Sequence, residues 1–184
     1  EATGMVKSKF IIKLVGFFCS ISYKFFDNIN AVTNGFKQKL LDVGVPESKI
    51  TVVYNWSLPM DSQHCNDFEK YRNIFKEYFT IIYAGNIGFA QSLGVLIEAA
   101  IKLKEAKIDR IKIMMLGDGT QKQRLCQEVE KHDLGDYFCF TGFIPAVNVG
   151  EFLQAAEILF LHLKNDPLFE ITLPSKLGSY FSIG

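Results

Sequence analysis

The stretch Phe79 to Ala100, FTIIYAGNIGFAQSLGVLIEAA, constrains the fold of this chain more than any other. It opens on a short apolar run, Phe79, Ile81, Ile82 and Tyr83, whose β-branched and aromatic content suits a strand buried on both faces. Gly85-Asn86-Ile87-Gly88 then lets the backbone turn sharply and lie close to a ligand. Ser92 is placed to cap a helix, and Leu93, Leu96, Ile97, Ala100 and Leu103 recur at spacings of three and four, so one apolar stripe packs on a sheet. Strand, glycine loop and helix in that order aim backbone N–H groups and a helix N-terminus at the loop, a place for an anion such as phosphate. Plain chain reversal explains the same loop equally well.

The rest of the chain repeats the pattern. Ile111–Leu116 is a second apolar run stopped by Gly117-Asp118-Gly119, and Thr120–Lys131 is helical through Leu125 and Val129. Tyr137–Thr141 is a third strand with the exit Gly142-Phe143-Ile144-Pro145, followed by a helix over Val147–Ala156 and a fourth strand over Ile158–Leu163. Asp166–Pro174 reads as a loop, and Ser175 as the cap of a last helix. Such alternation calls for a Rossmann-like parallel sheet with helices on both faces and any ligand at the carboxyl ends of the strands. Upstream, Asn28–Thr33 and Ile50–Tyr54 read as short strands around a helix marked by Phe36, Leu40 and Leu41. Trp56 reads as a packing anchor, the polar stretch from Ser57 to Asn66 as a domain boundary, and Asp67–Tyr78 as one charged helix.

Length and composition narrow the classes. At 184 residues and 48% hydrophobic content, one domain or one and a fraction is expected. Twenty basic residues balance twenty acidic ones, so nothing points to nucleic acid. Cys19, Cys65, Cys126 and Cys139 form no CxxC pair and read as reduced thiols of a cytosolic protein; His64 beside Cys65 has no second pair of ligands, so no metal site is expected. Phe10–Phe18 is too short and, with Lys13, too polar to span a bilayer. Val6 to Lys24 sets Lys7, Lys9, Lys13 and Lys24 along an apolar face that packs on an absent domain or lies on an anionic membrane surface. Glu1 to Gly4 and the closing Gly184 read as cuts through a longer chain, incomplete at both ends.

A dehydrogenase is disfavoured, because GNIGFAQS lacks the third glycine of GxGxxG and no acidic residue ends the next strand in the manner that binds a ribose. The chain instead resembles the group 1 (GT4) glycosyltransferases of GT-B fold, in the bacterial branch that builds capsule, O-antigen and exopolysaccharide. The resemblance rests on Tyr83 to Gly88, Gln91-Ser92-Leu93, Leu96 to Ala100, Leu116 to Gly119, Phe140 to Pro145, Leu153 to Ile158 and Leu173 to Lys176. Upstream, Ala31 to Phe36, Gly44-Val45-Pro46, Lys49-Ile50 and Tyr54-Asn55-Trp56 resemble the end of that family's acceptor domain and its link.

The resemblance implies residues 1–58 as the acceptor-domain tail and link, and 59–184 as a truncated donor domain, half of a GT-B fold. It implies a retaining transfer of a sugar from a nucleotide diphosphate to a glycan or polyprenyl-linked acceptor in surface polysaccharide synthesis. No metal or other cofactor is implied; a UDP-sugar is favoured as donor over a GDP-sugar. The expected place is the cytoplasm, at the inner face of the cytoplasmic membrane. On the donor side, Gly85, Asn86, Gly88 and Gln91 would face the diphosphate and sugar, Gly117, Asp118 and Gly119 the nucleoside, and Phe143 and Ile144 the base. Lys164, Pro174, Ser175 and Lys176 would meet the phosphates, where electrostatic stabilisation of the leaving group is needed.

Departures accompany the match. Many group 1 enzymes carry Arg at the position of Asn86 and Lys at that of Gln91; both are neutral here. Of the family's paired glutamates, Glu170 stands near the first place as the one catalytic candidate, and Ser179 occupies the second. A non-catalytic sugar-nucleotide-binding or assembly subunit therefore competes with the enzyme, and a sugar-nucleotide epimerase of the same architecture is a third reading. Asp118 also reads as a turn brace, Glu170 as a solvated loop charge, and His162 as a satisfied core histidine.

Overall fold

The computed structural model describes residues 8–56 and 66–183. The chain divides into two compact units, one comprising Glu1–Ser57 with Asn165–Gly178 and the other Leu58–Lys164 with Ser179–Gly184. Residues 165–178, expected in the second part, group with the first. The expected boundary over Ser57 to Asn66, the His64-Cys65 pair and the closing Gly184 lie outside the described residues, Asn66 excepted.

In the first unit, helix α1 (Lys9–Phe25) precedes a parallel βαβ turn: β1 (Ile29–Ala31), α2 (Asn34–Asp42) and β2 (Ile50–Val52), with Ile29 opposite Ile50. Ala31, Val45 and Ile50 form its buried centre, with Tyr23, Phe36, Leu40 and Leu41 packed against them. Thr33 caps α2 by accepting from the Phe36 N–H (3.2 Å) and also donates to the Ile171 carbonyl (2.7 Å). Gly35 is required at this point, since a Cβ there would stand 2.6 Å from Ile171 Cγ2. This bond and close approach dock the 165–178 segment against the start of α2. No residue of α1 is buried, and Phe10, Phe17, Phe18 and Phe25 are exposed. Trp56, expected as an anchor, is 78% exposed.

The second unit begins with α3 (Asn66–Glu69) and α4 (Arg72–Glu77), two short helices where one was expected, broken at Lys70-Tyr71. Phe68 and Phe75 pack against Phe152 at ring-centroid distances of 5.3 and 6.1 Å, which fixes both short helices on the sheet. There follow β3 (Phe79–Ala84), α5 (Gly94–Glu105), β4 (Ile111–Leu116), α6 (Lys122–Lys131), β5 (Phe138–Gly142), α7 (Ala146–Ala155) and β6 (Ile158–Leu159). The sheet order is β5-β4-β3-β6, all parallel, with Phe79 opposite Ile111 and Ile81 opposite Ile158. The expected Rossmann-like α/β fold is thus present.

Strand periodicity of two splits the core into two layers. Tyr83, Ile113 and Met115 meet Leu93, Leu96, Ile97, Leu125 and Val129 on one face, while Ile82, Ala84, Met114 and Leu116 meet Phe68, Phe152, Leu153 and Tyr180 on the other. The fourth strand is shorter than expected: only Ile81↔Ile158 and Ile82↔Leu159 pair in register, although Phe160 N–H still donates to the Ile82 carbonyl (2.7 Å). Its start is held by Glu157, whose carboxylate accepts from the Thr80 N–H (2.6 Å) and hydroxyl (2.7 Å). The expected loop over Asp166–Pro174 contains a short helix α8 (Pro167–Glu170), capped by Asp166 accepting from Leu168 N–H (3.0 Å), and α9 spans Ser175–Phe181.

Candidate functional site

Because all four strands run parallel, the exits of β3, β4, β5 and β6 share one edge, where open α/β sheets take ligands. The β3 and β4 exits are bonded into one layer. Gly85 N–H donates to the Leu116 carbonyl (2.7 Å), Ile87 N–H to that of Asp118 (2.8 Å), and Gly117 N–H to that of Gly142 (2.8 Å). Gly117 has φ +138° and any Cβ there would collide with the Gly85 carbonyl oxygen. A side chain at Gly119 would strike the Ile87 carbonyl and come within 2.7 Å of Asn86 Oδ1.

The loop that was expected to offer several free N–H groups uses most of them internally. Besides Gly85 and Ile87, Gly88 N–H donates to Gln91 Oε1 (3.1 Å), so the Gln91 side chain turns inward onto the loop. Ile87 is wholly buried, and the hydroxyl of buried Tyr83 donates to the Asn86 carbonyl (2.6 Å). The Asn86 side chain is left exposed over Gly88 and Gly119. Nor does Ser92 cap the helix: it sits at φ 47° behind a 3-10 turn over Phe89–Gln91, and α5 starts at Gly94 with Leu93 in the cap position. Leu93 is drawn into the core, and the helix starts one residue later than a Ser92 cap would place it.

Asp118 braces its turn. Oδ1 accepts from Gly119 N–H (2.7 Å) and Oδ2 from Lys122 Nζ (3.0 Å); the Lys122 bond, then that of Gly119, hold the carboxyl below the usual range. His162 Nδ1 bonds to the Gln91 carbonyl (2.9 Å), which requires the proton on Nδ1, and its ring stacks on Phe160. The satisfied-histidine reading therefore describes this residue. Lys164 N–H donates to the Ala90 carbonyl (2.8 Å), and its ammonium lies 4.8 Å from the Phe89 ring centroid. Phe143 is exposed and Ile144 half-buried just past β5.

The second unit thus gathers Gly85, Asn86, Gly88, Gln91, Gly117, Asp118, Gly119 and Lys164 about one edge, with Phe143 and Ile144 following β5. Pro174, Ser175, Lys176 and Glu170 fall in the segment grouped with the first unit. Glu170 is exposed, while burial pushes the Lys176 ammonium down to about 8. Beside the loop lies a cavity of about 370 Å³ lined by Gly88, Phe89, Ser92, Glu98, Arg124 and Lys164, among others. Arg124 and Glu98 escaped the sequence reading because each sits at a solvent position of a helical pattern. Among the described residues no group of His, Cys, Asp and Glu is arranged to hold a metal ion, and no helix is long and apolar enough to cross a membrane.

Comparison with known proteins agrees with this architecture. WcaI of Escherichia coli (strain K12), named as a colanic acid biosynthesis glycosyl transferase, is 26% identical over 165 residues, 86% of this chain and 39% of WcaI. EpsD of Bacillus subtilis (strain 168), named as a glycosyltransferase, is 26% identical over 124 residues, 67% of this chain and 30% of EpsD. The chain therefore spans well under half the length of either relative. Among solved structures, Anabaena Alr3699/HepE in complex with UDP and glucose has a TM-score of 0.64 at 14% identity, over 83% of this chain and 41% of its own. WaaG, a glycosyltransferase of lipopolysaccharide biosynthesis, has a TM-score of 0.64 at 15% identity, over 84% of this chain and 41% of its own. These two likenesses concern the fold. The family described as glycosyl transferases group 1 matches residues 66–168, more than half of the sequence, and the chain belongs to that family.

Proposed function

We propose that this chain is the donor-binding part of a retaining glycosyltransferase that moves a sugar from a nucleotide diphosphate to a glycan or polyprenyl-linked acceptor in surface polysaccharide synthesis. The observation that carries the reading is the bonded layer of the Gly85–Gly88 and Gly117–Gly119 loops at the carboxyl edge of the sheet, inside the region that matches the family. An edge of small residues and tight turns lets a ligand approach the backbone, and catalysis then rests on offsetting charge on the leaving diphosphate. UDP is the favoured nucleotide, in keeping with the HepE complex.

In this reading residues 1–58 are the tail of an acceptor domain with its link, and Lys176 meets the phosphates. The exposed apolar face of α1 with Lys9, Lys13 and Lys24 serves the rest of that acceptor domain or the inner face of the cytoplasmic membrane. Titration of the full-length protein with UDP, GDP and their sugars, followed by transfer assays on lipid-linked glycans, tests it. Failure to bind any nucleotide would sink the proposal.

A second reading, a sugar-nucleotide-binding subunit without catalysis, is favoured by one observation. Gln91 accepts from Gly88 N–H and Asn86 is uncharged, so the loop itself brings no cation to the diphosphate. Donor binding with no transfer to any acceptor by the full-length protein would select this alternative.

A further inference from the structure

The ladder between β3 and β6 stops one bond short of the ligand edge. Continued by one residue, its register sets Tyr83 opposite Phe160, and a parallel pair there makes two bonds, Phe160 N–H to the Ile82 carbonyl and Ala84 N–H to the Phe160 carbonyl. The first is present at 2.7 Å. The second is replaced: Ala84 N–H donates to the Tyr180 hydroxyl (3.2 Å), which donates in turn to the Phe160 carbonyl (3.4 Å). Tyr180 is buried, and burial pushes its phenol up, so the hydroxyl keeps the proton that it donates.

A hydroxyl between the two groups holds the strands farther apart than a direct N–H···O bond does. The exits of β3, β4 and β5 meet through backbone alone, Gly85 N–H on the Leu116 carbonyl and Gly117 N–H on that of Gly142. Past the opening, the β6 exit bonds to the far end of the glycine loop instead of to β3: His162 Nδ1 meets the Gln91 carbonyl (2.9 Å) and Lys164 N–H that of Ala90 (2.8 Å). Two phenols therefore flank Gly85, Tyr180 on the N–H of Ala84 before it and Tyr83 on the carbonyl of Asn86 after it (2.6 Å). A backbone that must approach a ligand closely tolerates little error in position, and fixed hydroxyls on either side supply that precision.

We infer that Tyr180 is a positioning residue for donor binding: its hydroxyl stands in for one bond of the β3–β6 ladder and so fixes where the Gly85–Gly88 loop lies for the nucleotide sugar. The inference rests on the proposed nucleotide-sugar reading. In Tyr180→Phe the ring still packs, but Ala84 N–H and the Phe160 carbonyl either close on each other or stay unmet, and both outcomes displace the loop.

The test compares Tyr180→Phe with Glu157→Ala in the full-length protein. Glu157 acts on Thr80 at the other end of β3, so its loss lowers stability without touching the loop. Tyr180→Phe is expected to weaken UDP and UDP-glucose by about 3- to 10-fold in calorimetric titration and to shift the amide resonances of Gly85–Gly88; Glu157→Ala stays within about 2-fold of wild type with those resonances in place. Unshifted loop resonances, or wild-type affinity, in Tyr180→Phe overturn the inference and leave the nucleotide reading standing. Equal weakening in Glu157→Ala overturns it too, because general loosening then explains the loss. No binding of any nucleotide by the wild type sinks the nucleotide reading; loop resonances that move in Tyr180→Phe but not in Glu157→Ala still uphold the positioning, and resonances that stay overturn it.

Discussion

Gly117 and Gly85 touch backbone to backbone, so closely that no side chain fits at Gly117, and this contact binds the exits of the two central strands into one surface. Gly117 also lies at φ +138°, where an L-residue is strained. Gly117→Ala is therefore expected to destabilise the second unit by about 3 kcal/mol or more, the sum of strain and overpacking. Urea unfolding should show the loss, and Gly94→Ala, with open space around its Cβ position, should not reproduce it.

The Glu157 carboxylate holds two donors of Thr80, whose side chain is wholly buried at the amino end of β3. Glu157→Ala leaves those donors unmet and should cost about 1–3 kcal/mol, with Glu157→Gln closer to wild type.

The same pair makes a pH prediction. Partial burial raises the Glu157 carboxyl, but the bonds from Thr80 N–H and hydroxyl outweigh it and the net shift is downward from 4.5. A carboxyl with a folded value below its unfolded one stabilises above the unfolded value and loses that contribution as pH falls through the folded one. Wild type should therefore lose stability more steeply than Glu157→Gln as pH drops below 4.5, in melts recorded stepwise in acid.

Lys176 responds in the opposite range. Burial lowers its ammonium to about 8 from 10.5, so between these values the unfolded chain binds more protons and stability rises with pH. Lys176→Met should abolish that rise. A 15N-detected titration should place the midpoint near 8, and donor affinity in the wild type should fall as pH passes through it.

Tyr83 donates to the Asn86 carbonyl from a buried position, and burial pushes its phenol upward. Tyr83→Phe removes the tether with little change of shape. It should cost about 1 kcal/mol of stability and weaken UDP binding several-fold, because the loop loses its fixed geometry. Equal UDP affinity in both proteins would separate the tether from ligand binding.

Much of the architecture was legible in local sequence. Ile111–Leu116 was expected as a strand and is one, since a short apolar run between turn signals has few other uses. Leu96, Ile97 and Ala100 marked the buried stripe of α5, and the three glycine-bearing exits of β3, β4 and β5 marked a shared edge. The failures were of another kind. Ser92 reads locally as a cap, yet Leu93 takes the cap position and is buried; Asp67–Tyr78 reads as one helix, yet it forms two, with Phe68 and Phe75 both packed on Phe152. Trp56 reads as an anchor but lies exposed.

Periodicity and turn chemistry act over a few residues, so the sequence by itself determined a parallel α/β sheet, its helix stripes and the glycine loops. Where side chains separated by tens of residues meet is set by packing and hydrogen bonding in three dimensions. Only the tertiary structure turned Gln91 inward onto Gly88, joined Glu157 to Thr80, and brought Arg124 and Lys164 to one cavity. Each of those outcomes depends on distance in space, which spacing along the chain does not encode.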